Sequence, residues 1–460
     1  PLVNKLELSD VEKDIIDHIC VEMESGLQID REAALADMRY IFIEELCRKV
    51  VIKLCDTNET RRTVKIDKWL THKYFGIPIF LGIMSGIFYL TFGVLGGTLS
   101  EWFESFIEFV IGITDTALTT LDINPAIHSL IVDGAFAGVG SVLSFLPTIL
   151  ILFFFLSILE DTGYMARVAF VMDKFLRKLG LSGKSFVPML IGFGCSVPAI
   201  MATRTLASER DKKMTMILIP FMSCSAKVPI YALFTAAFFT SHQAVVMTGL
   251  YIMGLLIAVL CGLLLKNTIF KGDSTPFLLE LPSYRFPSPK SVFLHMYDKA
   301  SDFIRRAFTI IFIATIIIWF LQSFDFRLNM VEDSAKSILA IIGSVIAPVF
   351  SPLGFGDWQS ATAIITGLSA KEAVVSTFAV LTNSSEGAGL IASISSIFSP
   401  LQALSFLIFI LLYMPCVATL AAIKREMNSF GKASLVMLFQ TTVAWITAFI
   451  IYRGGILLGF

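Results

Sequence analysis

Long apolar stretches dominate this chain, and short polar stretches separate them. Seven of the apolar stretches are long enough to cross the ~30 Å hydrocarbon core of a bilayer as helices. Two shorter apolar segments, 186–203 and 360–382, are interrupted by glycine or proline, and they predict broken or re-entrant helices. The pattern predicts an all-α, polytopic membrane protein of about seven to eight spans. The predicted spans are 76–97, 141–160, 214–240, 243–265, 307–324, 400–423 and 434–452.

The polar residues 1–64 predict a small cytoplasmic helical domain. Ser9 and Glu12 have the spacing of a capping box, in which each side chain satisfies a free backbone N–H at a helix start. Gly26 is a plausible helix stop, and a second helix is expected from near Asp30. Residues 65–75 combine lysines with Trp and Tyr, which predicts an amphipathic linker at the membrane surface.

Composition agrees with a membrane protein that has a modest soluble part. Hydrophobic residues make up 55% of the chain and charged residues 16%, whereas soluble domains carry roughly 25% charged residues. The net charge is −1 and no basic stripe with interleaved aromatics occurs, so nucleic acid is not an expected partner. The seven cysteines follow no disulfide framework, which favours a reducing compartment for the soluble part.

The positions of Lys and Arg predict the orientation. None occurs between Lys73 and Arg167, whereas both flanks of 186–203 are basic. Because positive charge stays cytoplasmic, the N-terminus is expected inside and the acidic segment 98–128 outside. Segment 186–203 then re-enters from the inside, and 360–382 is expected to re-enter from the outside.

This topology predicts two modules that form an inverted repeat, with a site near the midplane between them. If 360–382 crossed the bilayer fully, the inverted relation would fail. The expected organisation is 76–165 (first spans with the acidic external segment), 166–270 (first module), 271–306 (a Pro-rich cytoplasmic loop) and 307–460 (second module and C-terminal spans).

One short phrase, aromatic-Met-x-Cys-x-Ala, occurs once in each module, at 221–226 and at 413–418. Thiol, thioether and hydroxyl groups beside helix breaks suggest a path for a soft or borderline metal ion. The alternative is that small buried cysteines and packing methionines are common in membrane helices. The candidate path residues are Cys195, Cys224, Cys416, Ser196, Ser369, Met222 and Met414, and the candidate helix breaks are Gly192, Gly194, Pro198, Pro220, Gly367 and Pro415.

Several charged residues lie in or beside apolar segments. Glu160 and Asp161 end one predicted span, where they either meet the moving ion or form an ion pair with Arg167. Lys227 follows Cys224 by one turn and is expected to pair with a carboxylate, since an unpaired buried charge is costly. Adjacent helical residues do not face each other, so Lys371 and Glu372 are expected to have different partners.

Three kinds of enzyme site are disfavoured. Gly183-Lys184-Ser185 ends like a P-loop, but Lys178 stands where a P-loop needs glycine, and no strand precedes it. The five histidines have no ligand spacing, which disfavours a catalytic zinc. A membrane enzyme with a cysteine nucleophile would need a base that the predicted spans near these cysteines lack.

The motifs together resemble the bacterial ferrous iron transport protein B (FeoB) family over essentially the whole chain. The residues that carry the resemblance are Glu160 to Arg167, Gly192 to Arg204, Pro220 to Ala226, Gly367 to Ala373 and Tyr413 to Ala418. The resemblance implies two paired "Gate" modules, preceded by the helical domain that couples a G domain to the membrane.

The resemblance also implies Fe(II) uptake across the bacterial inner membrane, under control of GTP. The implied partners are Fe(II), a small cytoplasmic Feo-system protein, the protein's own G domain and the bilayer, and a homo-oligomer is left open. The chain begins at Pro1 and is expected to be a fragment without its G domain. GTP and Mg²⁺ are therefore assigned to no residue of this sequence. No covalent cofactor is expected, and enzymatic activity is left uncertain. Transport of Mn(II), Zn(II) or a nucleoside-like solute on the same architecture remains open, as does a role as a regulated membrane anchor.

Overall fold

The computed structural model describes residues 31–50, 58–72, 74–121, 124–136, 146–271, 282–331, 334–382 and 388–459, with a few single positions near residues 9–19 and 140. This part of the chain is helical, and its one β contact is an isolated bridge between Phe324 and Met330. Five helices there are long and apolar enough to cross a membrane, or up to seven if each of two bent pairs counts as one span. The prediction of a polytopic helical membrane protein is confirmed.

The chain divides into two bodies, Pro1–Val64 and Lys65–Phe460. In the first body the capping box forms as predicted, since the Glu12 carboxylate accepts from the Ser9 backbone N–H and the Ser9 hydroxyl accepts from the Glu12 N–H. Helix α1 (Arg31–Val50) follows the predicted second helix, whereas the predicted stop at Gly26 lies outside the described residues. Helix α2 (Asn58–Leu70) runs across the boundary between the bodies.

The first span is longer than predicted. Helix α3 (Gly76–Phe88), a π-helical segment (Tyr89–Val94) and α4 (Leu95–Thr120) form one continuous helix of 45 residues. The predicted end at 97 is therefore wrong, because Gly96 and Gly97 are accommodated inside the helix and helix-favouring residues follow them. The acidic segment begins as an extension of the span, and α5 (Pro125–Ser129) follows it.

The first half of the membrane body contains two interruptions. Helix α6 (Leu146–Asp161) meets α7 (Tyr164–Lys178) at a bend of 82°, where Gly163 adopts a left-handed conformation (φ 78°) that favours glycine. The short helices α8 and α9 then pack against each other as a hairpin over the predicted segment 186–203. The helices of this half are α6 (Leu146–Asp161), α7 (Tyr164–Lys178), α8 (Phe186–Ile191), α9 (Ser196–Ala202), α10 (Glu209–Leu218), α11 (Val228–Phe238) and α12 (Gln243–Thr268).

In the second half 360–382 forms a second packed hairpin, α15 (Trp358–Thr366) with α16 (Ala373–Leu381), and one additional helix separates this hairpin from the interrupted span that follows. The first helix of this half, α13 (Pro289–Ser323), starts inside the predicted loop 271–306, so the loop was predicted too long. Proline is favoured at the first position of a helix, because the N–H that it lacks has no helical partner there. Helix α14 was not predicted as a separate element. The helices are α13 (Pro289–Ser323), α14 (Ile338–Phe350), α15 (Trp358–Thr366), α16 (Ala373–Leu381), α17 (Ala388–Ile397), α18 (Pro400–Leu412), α19 (Val417–Glu426) and α20 (Phe430–Leu457).

Helix α18 lies at the centre of this body. Every residue from Ser405 to Leu412 is buried, which is the environment expected for a helix that is apolar on all sides. Phe406 of α18 packs against Phe234 of α11 and Phe378 of α16, and these rings join the two halves. The core therefore runs through both halves as one unit and holds their interruptions at fixed positions.

Candidate functional site: a cavity between the two halves

A cavity of about 120 Å³ lies where the interrupted helices of the two halves meet. Both copies of the repeated phrase contribute to its wall, through Cys224 and Cys416, and the first hairpin contributes Cys195. Three sequence segments far apart in the chain thus deliver their thiols to one space. The polar and sulfur-bearing residues of the wall are Thr148, Cys195, Ser196, Cys224, Ser225, Lys227, Ser369, Lys371, Glu372, Cys416 and Thr419.

Each of the three thiols lies at the start of a helix. Cys195 directly precedes α9, Cys416 directly precedes α19, and Cys224 precedes a short 3₁₀ turn that leads into α11. All three have extended backbone conformations, and none of their side chains caps the helix that follows. Because the chain changes direction at these positions, each side chain is free to face the cavity.

Two equivalent hydrogen bonds relate the halves. In the first half the N–H of Ser225, the residue after Cys224, donates to Gly194 O at 3.1 Å. In the second half the N–H of Val417, the residue after Cys416, donates to Leu368 O at 2.7 Å. The two phrases therefore occupy equivalent positions, and Cys195, which follows Gly194, corresponds to Ser369, which follows Leu368.

Lys227 is 3% exposed and holds the break in the opposite half. Its Nζ donates to Leu411 O at 2.6 Å and lies 3.4 Å from Pro220 O. The prediction that Lys227 pairs with a carboxylate is wrong, since the described contacts of its ammonium group are carbonyl oxygens. The reason is local: Leu411 O would normally accept from residue 415, but Pro415 has no N–H, so the lysine takes that place.

Lys371 and Glu372 lie in the turn that directly precedes α16, and not within a helix as predicted. Lys371 is 2% exposed, and its Nζ donates to Met414 O at 2.8 Å and stands 3.2 Å from the centre of the Tyr413 ring. Glu372 lines the cavity. Both lysines thus fix the backbone around Cys416, while one carboxylate and three thiols face the space between the halves.

Comparison with known proteins agrees with this two-part architecture. A family model described as "Nucleoside recognition" (Gate) matches residues 142–238 and 304–430, and one described as "Ferrous iron transport protein B C terminus" matches residues 247–299. The Fe(2+) transporter FeoB of Campylobacter jejuni is 39% identical over 430 residues, which cover 90% of this chain and 68% of the relative. The chain belongs to the FeoB family.

Two further FeoB relatives cover nearly all of the chain. The Fe(2+) transporter FeoB of Staphylococcus aureus is 43% identical over 94% of this chain, which spans 65% of that relative's length. A protein of Porphyromonas gingivalis described as a fusion of Fe(2+) transport protein A with FeoB is 38% identical over 93% of this chain and 56% of its own length. No solved structure matches the chain.

The structure places several predicted FeoB path residues away from the cavity. Met222 is 2% exposed and packs in the core, and neither its thioether nor that of Met414 belongs to the cavity wall. Glu160 and Asp161 end α6, outside that wall. The thioether and carboxylate predictions at these four positions thus gain no support from the cavity.

Arg167 has a different ion-pair partner from the one considered in the sequence. It is 0% exposed, and its Nε lies 3.1 Å from the Asp67 carboxylate, which belongs to α2. Its Nη1 also donates to Gly163 O at the α6–α7 bend, and its guanidinium lies 4.1 Å from the centre of the Tyr284 ring. Burial raises the pKa of Tyr284, so the ring over Arg167 stays neutral at physiological pH.

The residues predicted to break helices lie in different environments. Gly194, Pro220 and Pro415 line the cavity, and Gly192 and Gly367 lie within the interruptions of the two hairpins. Pro198 is inside the first turn of α9, where its missing N–H would have no helical partner, so it does not break the helix. The prediction at Pro198 is wrong for that reason.

Phe92 and three polar residues of the wall, Thr148, Ser225 and Thr419, were not predicted. Two of them had a local signal, because Ser225 adjoins Cys224 and Thr419 is one helical turn after Cys416. The Thr419 hydroxyl lies 3.2 Å from the Cys416 sulfur. Phe92 and Thr148 come from other spans, and no local pattern marks them.

The described residues contain no group of three or more His, Cys, Asp or Glu side chains close enough to hold one metal ion. The three thiols line one cavity without belonging to such a group.

Proposed function

We propose that this chain forms the membrane pathway of an Fe(II) transporter of the bacterial inner membrane, which takes iron into the cytoplasm between the two Gate halves. The observation that carries the proposal is the meeting of both Met-x-Cys phrases at one cavity. Family membership supplies the cargo, since the curated relatives are described as Fe(2+) transporters.

The size of the cavity supports an ion as the cargo. One buried water needs roughly 10–15 Å³ of such space. A cavity of about 120 Å³ thus holds on the order of ten waters. That space is enough for a divalent cation and its first hydration shell, so the ion can enter hydrated and exchange its waters for protein ligands one at a time.

The donor groups support a borderline transition metal. Sulfur of Cys195, Cys224 and Cys416, the hydroxyl groups of Ser196 and Ser369, and the Glu372 carboxylate form the wall. Thiol ligands select against the hard ions Mg²⁺ and Ca²⁺, which prefer oxygen only. The Ser369 hydroxyl donates its proton to Thr366 O, so its oxygen keeps its lone pairs as acceptors.

We assign the control of this pathway to a G domain and a partner protein outside the membrane body. The full-length family protein is proposed to bind GTP on a G domain and to work with a small cytoplasmic Feo-system protein. The relative in Porphyromonas gingivalis supports the second partner, since Fe(2+) transport protein A is fused to FeoB there.

The test replaces each thiol by serine in the full-length protein reconstituted in vesicles. We expect Cys195→Ser, Cys224→Ser and Cys416→Ser each to lower Fe(II) uptake about three- to tenfold, because a soft donor becomes a hard one. Cys261→Ser is the matched control, since Cys261 is buried in α12 away from the cavity wall. Undiminished Fe(II) uptake in all three cavity variants would falsify the thiol pathway.

A second cargo class is favoured by one observation, the description "Nucleoside recognition" of the Gate model. Competition in the same vesicles separates the candidates: excess Mn(II) or Zn(II) competes if another metal is the cargo, and a nucleoside competes if the cavity binds such a solute. The small cavity and its thiols favour the metal, because a solute pocket is usually larger and needs no sulfur.

A further inference from the structure

Two short helices leave the cavity side by side. Helix α9 starts after Cys195 and α19 starts after Cys416, and the two pack along their length. Val197 and Ala418 are buried between them, directly below the thiols, and Met201 and Ala422 extend the same contact. We name this contact the α9–α19 seam. It is narrow and is built from small or flexible apolar side chains.

An ion pair closes the far end of the seam. Arg204 follows α9, and its Nε donates to the carboxylate of Glu426, the last residue of α19, at 2.6 Å. Lys212 of α10 lies 3.5 Å from the same carboxylate, whose side chain is 6% exposed. This end of the bundle also carries Lys424 and Arg425. We call it the basic end, and positive charge predicts that it faces the cytoplasm.

The equivalent contact on the other side of the cavity is different. Helix α11 continues away from the basic end and meets α16, the second helix of the other hairpin. Phe234 and Phe378 join them with ring centres 6.0 Å apart, and Phe398 and Phe406 pack on both rings. We name this contact the aromatic seal; its four rings, Phe234, Phe378, Phe398 and Phe406, are all buried.

We propose that the α9–α19 seam is the gate through which the cation leaves the cavity, with Arg204 and Glu426 as its latch. The proposal rests on the proposed transport function and names the residues that control release. Opening the seam separates two small apolar contacts and an ion pair whose partners water can solvate. Opening the aromatic seal would expose several fully buried rings, which costs more. A dication that reaches the seam also weakens the latch, because it attracts Glu426 and repels Arg204.

The test measures access to the cavity thiols and does not depend on iron flux. In inside-out vesicles of the full-length protein, a membrane-impermeant thiol reagent is applied to the basic end, and labelling of Cys195 and Cys416 is read by peptide mass spectrometry. Glu426→Gln should raise the labelling rate about two- to fivefold, the population shift expected for loss of a partly exposed ion pair. Right-side-out vesicles should show no change.

Two variants complete the experiment. The exchanged pair Arg204→Glu with Glu426→Arg, combined with Lys212→Gln so that the new arginine does not meet a second cation, should return labelling to the wild-type rate. Glu209→Gln is the matched control, because it removes a carboxylate at the same end that pairs with Lys213 inside one helix and does not cross the seam. An unchanged labelling rate in Glu426→Gln, or an equal rise from both sides, would overturn the gate. Faster labelling without any Fe(II) flux would leave the gate standing and reject the transport function.

Discussion

At the scale of single residues, two lysines define the backbone of the site. Lys227 and Lys371 are almost fully buried, yet their described partners are carbonyl oxygens and an aromatic face. The carbonyls that they bind lie around the break between α18 and α19, where helix geometry leaves acceptors without an intrahelical donor. The buried lysine charges, which the sequence suggested would be costly to bury, thus stabilise the helix interruption that positions Cys416.

Lys227→Met tests this role. The change keeps the apolar stem but removes the donor to Leu411 O, and a buried acceptor without a partner costs about 1–3 kcal/mol. We expect a lower thermal unfolding midpoint in detergent, together with reduced Fe(II) uptake. Lys213→Met is the control, since Lys213 is partly exposed and pairs only weakly with Glu209. Equal midpoints for the two variants would contradict a bracing role for Lys227.

At the scale of elements, the same unit is built twice with opposite direction. Each half places a short helical hairpin beside a span that is interrupted at its Cys, and one backbone hydrogen bond joins hairpin to span in each half. The interruption in the second hairpin depends on Gly367. A Cβ added there would lie 2.5 Å from the Tyr413 hydroxyl and 2.6 Å from a Val374 methyl, so the hairpin has no room for a side chain.

Gly367→Ala is therefore expected to displace the second hairpin. Overpacking a buried site costs about 1–3 kcal/mol, and the Leu368 carbonyl that accepts from Val417 moves with the hairpin. We expect a lower unfolding midpoint and lower Fe(II) uptake. Gly82→Ala is the control, because a Cβ at Gly82 meets nothing within 4 Å. A variant at Gly367 that kept both properties would show that the break tolerates a side chain.

At the scale of the whole molecule, a buried charge joins distant segments within the body Lys65–Phe460. Arg167 binds Asp67 of α2, the carbonyl at the α6–α7 bend and the ring of Tyr284. Three segments that are distant in sequence thus share one guanidinium. Because Arg167 is fully buried, the arrangement is stable only while the Asp67 carboxylate is present.

Asp67→Asn removes that carboxylate. The loss leaves the Arg167 charge without its anionic partner, and we expect a destabilisation of about 2–4 kcal/mol, less than for a fully buried pair because Asp67 is partly exposed. Glu45→Gln is the control, since the Glu45–Lys49 pair is exposed on both sides and is worth at most about 1 kcal/mol. Thermal unfolding of both variants measures the difference, and equal midpoints would reject the structural role of Asp67.

The membrane class, most spans, the two interrupted hairpins and the three thiols were predictable, because each has a local signal. Spans are long apolar runs, and the hairpins around Cys195 and Ser369 are too short to cross a bilayer. The start of α13 at Pro289 and the separate helix α14 were missed because polar or short helices lack the length of a spanning run. The role of Pro198 was misjudged because a proline acts differently in the first turn of a helix than in its interior.

The sequence by itself determined a polytopic helical protein with a twice-repeated phrase, since hydrophobic length and the spacing of Gly, Pro and Cys are local properties of the chain. Only the tertiary structure decided which groups face one cavity. In the structure Phe92 and Thr148 line the same cavity as the thiols, Met222 is buried in the core, and Lys227 donates a hydrogen bond to a carbonyl of the opposite half. The physical reason is that these relations depend on the packing of segments that are distant in the sequence, which no local pattern encodes.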